Sequence, residues 1–261
     1  MGNRYRVLIC AVLIALMAAS GRSIDYERRL VPLVPLNSLG AFGFTWSTHA
    51  VLMYDDDAPT VAGFFYFDLP PAVAFGLPFE PQIFPTEPGE PPGSIIYVGR
   101  GSTATHVAAY IEATSADRVQ RTALPIIRES DFASTPRHVL NAKRDARTRL
   151  MLRTYSLDLN MSEAAVRIVV MAKDAGPSFQ WKSVVDRTIE LTVQQKFTDL
   201  GGQSFAIRPL AAETPLGDIG SAADGAPLLI SVTPVTPGLH IWAFVSQTNN
   251  ATNEVQLFLP E

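Results

Sequence analysis

The chain has 261 residues, with 21 lysines and arginines against 25 aspartates and glutamates and a formal net charge of −4. This mildly acidic balance argues against nucleic acid as a partner. One cysteine, Cys10, is present, and a chain without its first residues can hold no disulfide framework, thiolate metal site or cysteine nucleophile.

Arg4 and Arg6 form a short positive region ahead of an apolar run from Val7 to Ala19, which ends in the small residues Ala18-Ala19-Ser20-Gly21. That pattern predicts a secretory signal peptide over residues 1–21. The run is shorter than the roughly 20 residues a membrane-spanning helix needs. Cleavage after Ser20 or Gly21 removes two arginines and no acid, leaves a mature chain of charge −6, and implies a secreted or periplasmic protein with no membrane span. An uncleaved anchor is the alternative, because Arg22, Arg28 and Arg29 follow the run.

Beyond the leader, apolar residues recur with period two and no stretch keeps a helical period. Strands are expected near 29–34, 44–54 and 60–68. Asp55-Asp56-Asp57, with Asp68, places hard oxygens at a strand end, but the alternation and glycine of a calcium loop are missing, so a solvated acidic turn is the simpler reading. Eight prolines between Leu69 and Gly93 predict a long irregular loop over 69–93, because proline cannot donate to a ladder. Further strands are expected near 94–98, 105–113 and 119–128.

A basic stretch from Arg137 to Arg153, containing Lys143, Arg144 and Arg147, reads as a polar loop feeding a strand. That strand alternates Leu150 and Leu152 with Arg149 and Arg153, which should lie on its wet face opposite Glu190 or Asp186. Alternation at Val166, Ile168 and Val170, and at Ile189, Leu191 and Val193, marks two more. Phe179, Trp181 and Lys182 follow Asp174-Ala175-Gly176-Pro177 and are expected on a loop at one end of a sandwich. Thr214 and Pro215 could open a helical turn reaching Ile219. Strands near 227–234, 239–247 and 253–259 complete the chain.

Many short strands separated by turn residues predict an all-β protein of two β-sandwich halves, immunoglobulin-like or jelly-roll-like, spanning 24–125 and 126–261. An internal echo supports the division. His106 to Thr114 aligns without gaps with His240 to Thr248, sharing His, Ala and Thr at three positions, and Thr48 to Tyr54 weakly matches Arg149 to Tyr155. The segments Leu124 to Glu129, Thr148 to Asp158 and Leu239 to Thr252 together resemble a group of uncharacterised secreted bacterial proteins built of β-sandwich repeats. The resemblance implies export and a β-sandwich fold, and it carries no assigned activity.

Motifs for chemistry are missing. His49, His106, His138 and His240 show no ligand spacing. The serine at Gly99-Arg100-Gly101-Ser102 lacks the second glycine of a nucleophile elbow, and there is neither a phosphate-binding loop nor a dinucleotide fingerprint. No catalytic residue, metal or cofactor is therefore assigned. The leading expectation is a non-catalytic interaction or structural module whose partner is a protein or glycan at the cell surface or in the periplasm. Phe179, Trp181, Lys182, Lys143, Arg144 and Arg147 are the candidate contacts, since aromatics stack on sugars and cations meet anionic surfaces. A carbohydrate-binding module and an enzyme of unrecognised type are the alternatives.

Overall fold

A computed structural model describes residues 26–32, 38–39, 43–54, 93–99, 105–143, 145–161, 163–173, 180–192, 197–200, 203–206, 208–217 and 225–261. The leader, the strand expected at 60–68, the aspartates at 55–57 and 68, the proline-rich stretch up to residue 92, Arg144 and Phe179 lie outside the described residues.

The strands run in chain order as β1 (Tyr26–Val31), β2 (Ser38–Leu39), β3 (Thr45–Tyr54), β4 (Ser94–Gly99), β5 (Thr105–Thr114), β6 (Val119–Leu124) and β7 (Ile127–Arg128). There follow β8 (Arg137–Lys143), β9 (Thr148–Ser156), β10 (Ala165–Lys173), β11 (Trp181–Glu190), β12 (Phe197–Leu200) and β13 (Gln203–Ala206). The last four are β14 (Leu210–Pro215), β15 (Pro227–Pro234), β16 (Trp242–Asn249) and β17 (Val255–Phe258). Among the described residues there is no α-helix, and a 3-10 turn occupies Glu129–Asp131. The fold is all-β and antiparallel throughout, with sheets stacked as sandwiches.

Three sheets are layered. An outer sheet of order β11-β10-β15-β8 packs on a central sheet of order β14-β9-β16-β17. Between them lie Val166, Ile168 and Val170 of β10, Leu228, Ile230 and Val232 of β15, Leu150 and Leu152 of β9, and Ala243 and Val245 of β16. The opposite face of the central sheet carries Tyr155, Trp242 and Phe244, which are covered by Leu30, Ile95 and Ile127 of a small sheet, β4-β1-β7. The small sheet thus joins strands from both sides of residue 125. It is fastened by Arg28, whose guanidinium donates to Leu157 O (2.6 Å) and pairs with Glu129. Where β4 begins, Gly93 adopts φ 126° against Pro209, Tyr155 and Leu30, a conformation and a space that admit no side chain.

A fourth sheet, β2-β3-β5-β6, pairs β3 with β5 over ten residues. Trp46, Thr48, Ile111 and Ala113 occupy its buried face, while Ser47, His49, Tyr110 and Glu112 alternate onto the other. Trp46 and Trp242 are both core residues. Strands β12 and β13 form a separate hairpin.

Several elements differ from the sequence expectation. The polar loop expected at 137–143 is strand β8, with Val139 and Ala142 buried. Asn141 sits at φ 66° where the register slips, which Asn tolerates in the left-handed region; the extra residue moves the buried positions from spacing two to three and hides the alternation. The strand expected over 119–128 divides at Pro125, the chain leaving one sheet as β6 and entering another as β7. Pro215 opens no helix. It ends β14 opposite Met151 on an edge strand, where its missing N–H does no harm. The internal echo shares strand order, since β5 lies between β3 and β6 as β16 lies between β9 and β17, but not register. Thr48 faces Ile111 whereas Arg149 faces Thr248, three residues beyond the equivalent position.

Candidate functional site

A polar groove lies between two sheet edges. Strand β6 is the last of the fourth sheet and β17 the last of the central sheet. They approach side by side without forming a ladder, and Thr122 Oγ1 donates to Val255 O (3.4 Å) across the gap. Beyond that contact opens a groove of about 500 Å³, walled by Gln120 and Arg121 of β6, Thr148 of β9, Gln247 and Asn249 of β16, and Glu254 and Gln256 of the final hairpin.

Local structure fixes most of these groups. Gln247 Nε2 donates to Thr148 Oγ1 (2.9 Å) and to Lys143 O (3.2 Å), holding its amide between β9 and the end of β8. Asn249 Oδ1 accepts from the amides of Ala251 (2.8 Å) and Thr252 (3.1 Å), an Asx-type turn that lets β16 reverse into β17, and Asn253 completes the reversal at φ 56°. Arg121 donates through Nε to Glu112 Oε2 (2.7 Å), with its guanidinium 5.1 Å above the Tyr110 ring. Tyr110 in turn stacks on His49, ring centres 5.0 Å apart. The hydrogen bond from Arg121 holds the Glu112 carboxyl below its ordinary range, helped by a hydrogen bond from Thr114 and opposed by partial burial. In the groove wall, the Oε1 of Gln120 is buried without a hydrogen-bond partner.

The result is a wall of amides and hydroxyls in which internal bonds leave Gln247 Oε1 to accept and Asn249 Nδ2 to donate. One cation, Arg121, already paired, and one carboxylate, Glu254, leave it close to neutral. Among the described residues no three His, Cys, Asp or Glu side chains gather to hold a metal ion. No family model, curated protein or solved structure matches the chain.

The residues singled out in the sequence are distributed unevenly around this groove. Lys143 ends β8 with its carbonyl on Gln247, and Arg147 lies in the β8–β9 turn with its carbonyl accepting from Asn250 N (2.8 Å), so the basic turn is tied to the groove rim. Trp181 and Lys182 do not sit on a loop. They open strand β11, where Lys173 pairs with Trp181 and Ala172 with Lys182. Trp181 is partly exposed at the edge of the outer sheet. Lys143 is on the opposite edge strand of that sheet, roughly 14 Å away across three strand spacings. Trp181 therefore forms no part of the groove.

Arg153 also departs from expectation. It is not on a wet face opposite Glu190 or Asp186; it is buried, donating to Glu213 Oε1 (2.6 Å) and Ser246 Oγ (2.6 Å) with its guanidinium over the Phe244 ring. Asp186 pairs instead with Arg167 (2.6 Å) on the exposed side of the outer sheet. Two histidines hold separate polar partners: His240 Nδ1 lies 3.2 Å from Asp158 Oδ2, and His138 Nδ1 lies 2.9 Å from Ser231 Oγ.

Gln120, Gln247 and Gln256 escaped sequence reasoning because each is an ordinary polar residue in an alternating strand. Their common property, facing one gap, arises only when two sheet edges from distant parts of the chain meet. The turn Thr248-Asn249-Asn250-Ala251-Thr252 was the one local signal available, and it marks the hairpin without disclosing the groove.

Proposed function

We propose that the protein is a non-catalytic binding module, exported by its N-terminal leader and acting in the periplasm or outside the cell, with the groove between β6 and β17 as its contact site. The observation that carries this reading is the wall itself. Gln247, Asn249 and Thr148 are pinned by their own hydrogen bonds, so a ligand meets fixed donors and acceptors and little ordering entropy is lost on binding. Export is supported by Arg4, Arg6 and the short apolar run that follows them.

Immobilised mature chain, exposed to solubilised envelope of the producing cell, should retain a component that the double variant Thr122→Val/Gln256→Ala releases. Equal retention by both would remove the groove from the function. Mass spectrometry of the native protein should find an N-terminus near residues 21–23; an intact Met1 form held in the inner membrane would overturn export.

A further inference from the structure

We infer that the ligand of this groove is a neutral, hydroxyl-rich saccharide of one to a few units, an inference that rests on reading the groove as a binding site. Three features of the groove lead to that class, and a fourth sets the strength of binding.

The first is hydrogen-bond character. Internal hydrogen bonds leave Gln247 its Oε1 as acceptor and Asn249 its Nδ2 as donor, Gln256 and Gln120 add carboxamides, and the hydroxyls of Thr148 and Thr122, which already donate to Asp145 O and Val255 O, can accept. A carboxamide offers an acceptor beside a donor about one bond away, which matches neighbouring hydroxyls on a sugar ring, each both donor and acceptor. The unpartnered Gln120 Oε1 is an acceptor that turning the amide toward a ligand hydroxyl would satisfy.

The second is charge. Anionic polymers are held by free guanidinium and ammonium groups. Arg121 is committed to Glu112 and lies over Tyr110, while Glu254 adds a negative charge to the same wall. Within the wall itself, among the described residues, a carboxylated or sulfated chain would meet no free cation; Lys143 and Arg147 stand at the rim, held there through their carbonyls, which is why anionic polymers form an arm of the test.

The third is width. A peptide binding by strand addition between β6 and β17 would need them separated by roughly twice the ~4.8 Å strand spacing. They touch instead, Thr122 Oγ1 on Val255 O, so the groove takes a compact ligand. Its volume of about 500 Å³ falls within the range of small-molecule sites.

The fourth bears on strength: among the described residues no aromatic ring lines the groove. Arg121 covers one side of Tyr110 and His49 stacks on the ring as well, so binding rests on hydrogen bonds alone. Weak binding follows, with dissociation constants in the millimolar range, because net gains per hydrogen bond in water are small.

The test is a titration of the full mature chain, labelled with nitrogen-15, with maltotriose, cellotriose, mannotriose and tri-N-acetylchitotriose, and separately with polygalacturonate and heparin. At least one neutral sugar should shift the side-chain amides of Gln247 and Gln256 saturably. Gln256→Ala should weaken that binding about tenfold, the effect expected from losing one or two hydrogen bonds, and Trp181→Ala should leave it unchanged. Thr148→Val provides a second variant should the first perturb the hairpin. If only an anionic polymer shifts these amides, or if none of the probes does, the saccharide inference is wrong, while retention of an envelope component would still support a binding groove. If a neutral sugar binds and chromatography then shows it cleaved, the ligand class stands and the non-catalytic reading falls.

Discussion

The outer and central sheets are both four-stranded and antiparallel, yet they wrote themselves into the sequence differently. In β10 and β15 of the outer sheet every second residue is buried and its neighbours are partly or fully exposed. In β16 of the central sheet Trp242, Ala243, Phe244, Val245 and Ser246 are buried in succession, and β9 is buried continuously from Leu152 to Ser156. The outer sheet has one face against protein and one in water, whereas the central sheet lies between two layers. Alternation is thus a record of one wet face, and it fades where that face is covered.

The boldest way to break this comparison is to remove the cover. A fragment of residues 126–261 keeps the whole core between the outer and central sheets, since that cluster runs from Val139 to Val245 with Phe258 packed against it. It loses β1 and β4, which shield Tyr155, Trp242 and Phe244. Re-exposing on the order of 300 Å² of aromatic surface costs roughly 7 kcal/mol at about 25 cal/mol per Å², an upper estimate. We expect a fragment that still melts cooperatively, but at much lower temperature, with strong binding of a hydrophobic dye and concentration-dependent association. A fragment unfolded at all temperatures would mean that the three layers form one cooperative unit and that no division near residue 125 is real.

Single substitutions sharpen the same contrast. Phe244→Ala, on the covered second face of the central sheet, should cost about 3–5 kcal/mol in urea unfolding. Val169→Ala, at the corresponding outward position of β10 and only partly buried, should cost under about 1 kcal/mol. Comparable losses at the two positions would show that the outer sheet is covered as well. Gly93→Ala tests how tightly the small sheet is seated. A Cβ there would lie 2.9 Å from Pro209 Cγ and 3.0 Å from Tyr155 Cε1 at φ 126°, so strain and overpacking together should cost about 2–4 kcal/mol. A loss below about 0.5 kcal/mol, within the range of neutral surface changes, would show that the sheet shifts freely.

This contrast also explains what was legible. Strands β3, β5, β10 and β15 announce themselves because one face is wet, and the all-β class follows from them; β11, with no fully buried residue, was legible only at its end near Ile189. Strand β8 was hidden by the register slip at Asn141, and β14 by a Thr-Pro pair that imitates a helix start. Arg153 was misplaced because alternation assigned it to water, whereas it is buried on the second face of the central sheet, where Glu213 and Ser246 supply its partners. The groove was illegible because Gln120 and Gln256 are 136 positions apart, and nothing local in either strand records that their edges meet.

Arg153 gives a prediction of middle size. Its guanidinium is nearly buried while Glu213 is 39% exposed, so the pair lies between the surface case, worth under about 1 kcal/mol, and the fully buried case, worth about 3–5 kcal/mol when broken. Arg153→Ala should cost about 1–3 kcal/mol. Arg153→Met, which keeps an apolar stem of similar length in the buried site, should cost less, because replacing a buried ion by apolar atoms removes its desolvation penalty. If methionine proves as damaging as alanine, the charge and not the packing holds β9 to β14.

The smallest effect is expected at Glu112, on the uncovered face of the fourth sheet beside the groove. Its carboxyl is held below the ordinary value of 4.5, first by the hydrogen bond from Arg121. A carboxylate with a lowered folded-state pKa stabilises the fold at every pH above its unfolded value, and the contribution is lost as pH falls through the folded value. The wild type should therefore exceed Glu112→Gln in stability by a constant amount near neutrality, under about 1 kcal/mol because Arg121 is largely exposed. Denaturation carried from about pH 7 down to about pH 3 should show the gap begin to close below the ordinary carboxylate range and go on closing in stronger acid. Added salt should narrow it at neutral pH, since exposed charges are screened. A gap that widens in acid would mean that the glutamine is harmful for its shape, and the ion pair would then contribute nothing to holding Arg121 over Tyr110 at the mouth of the groove.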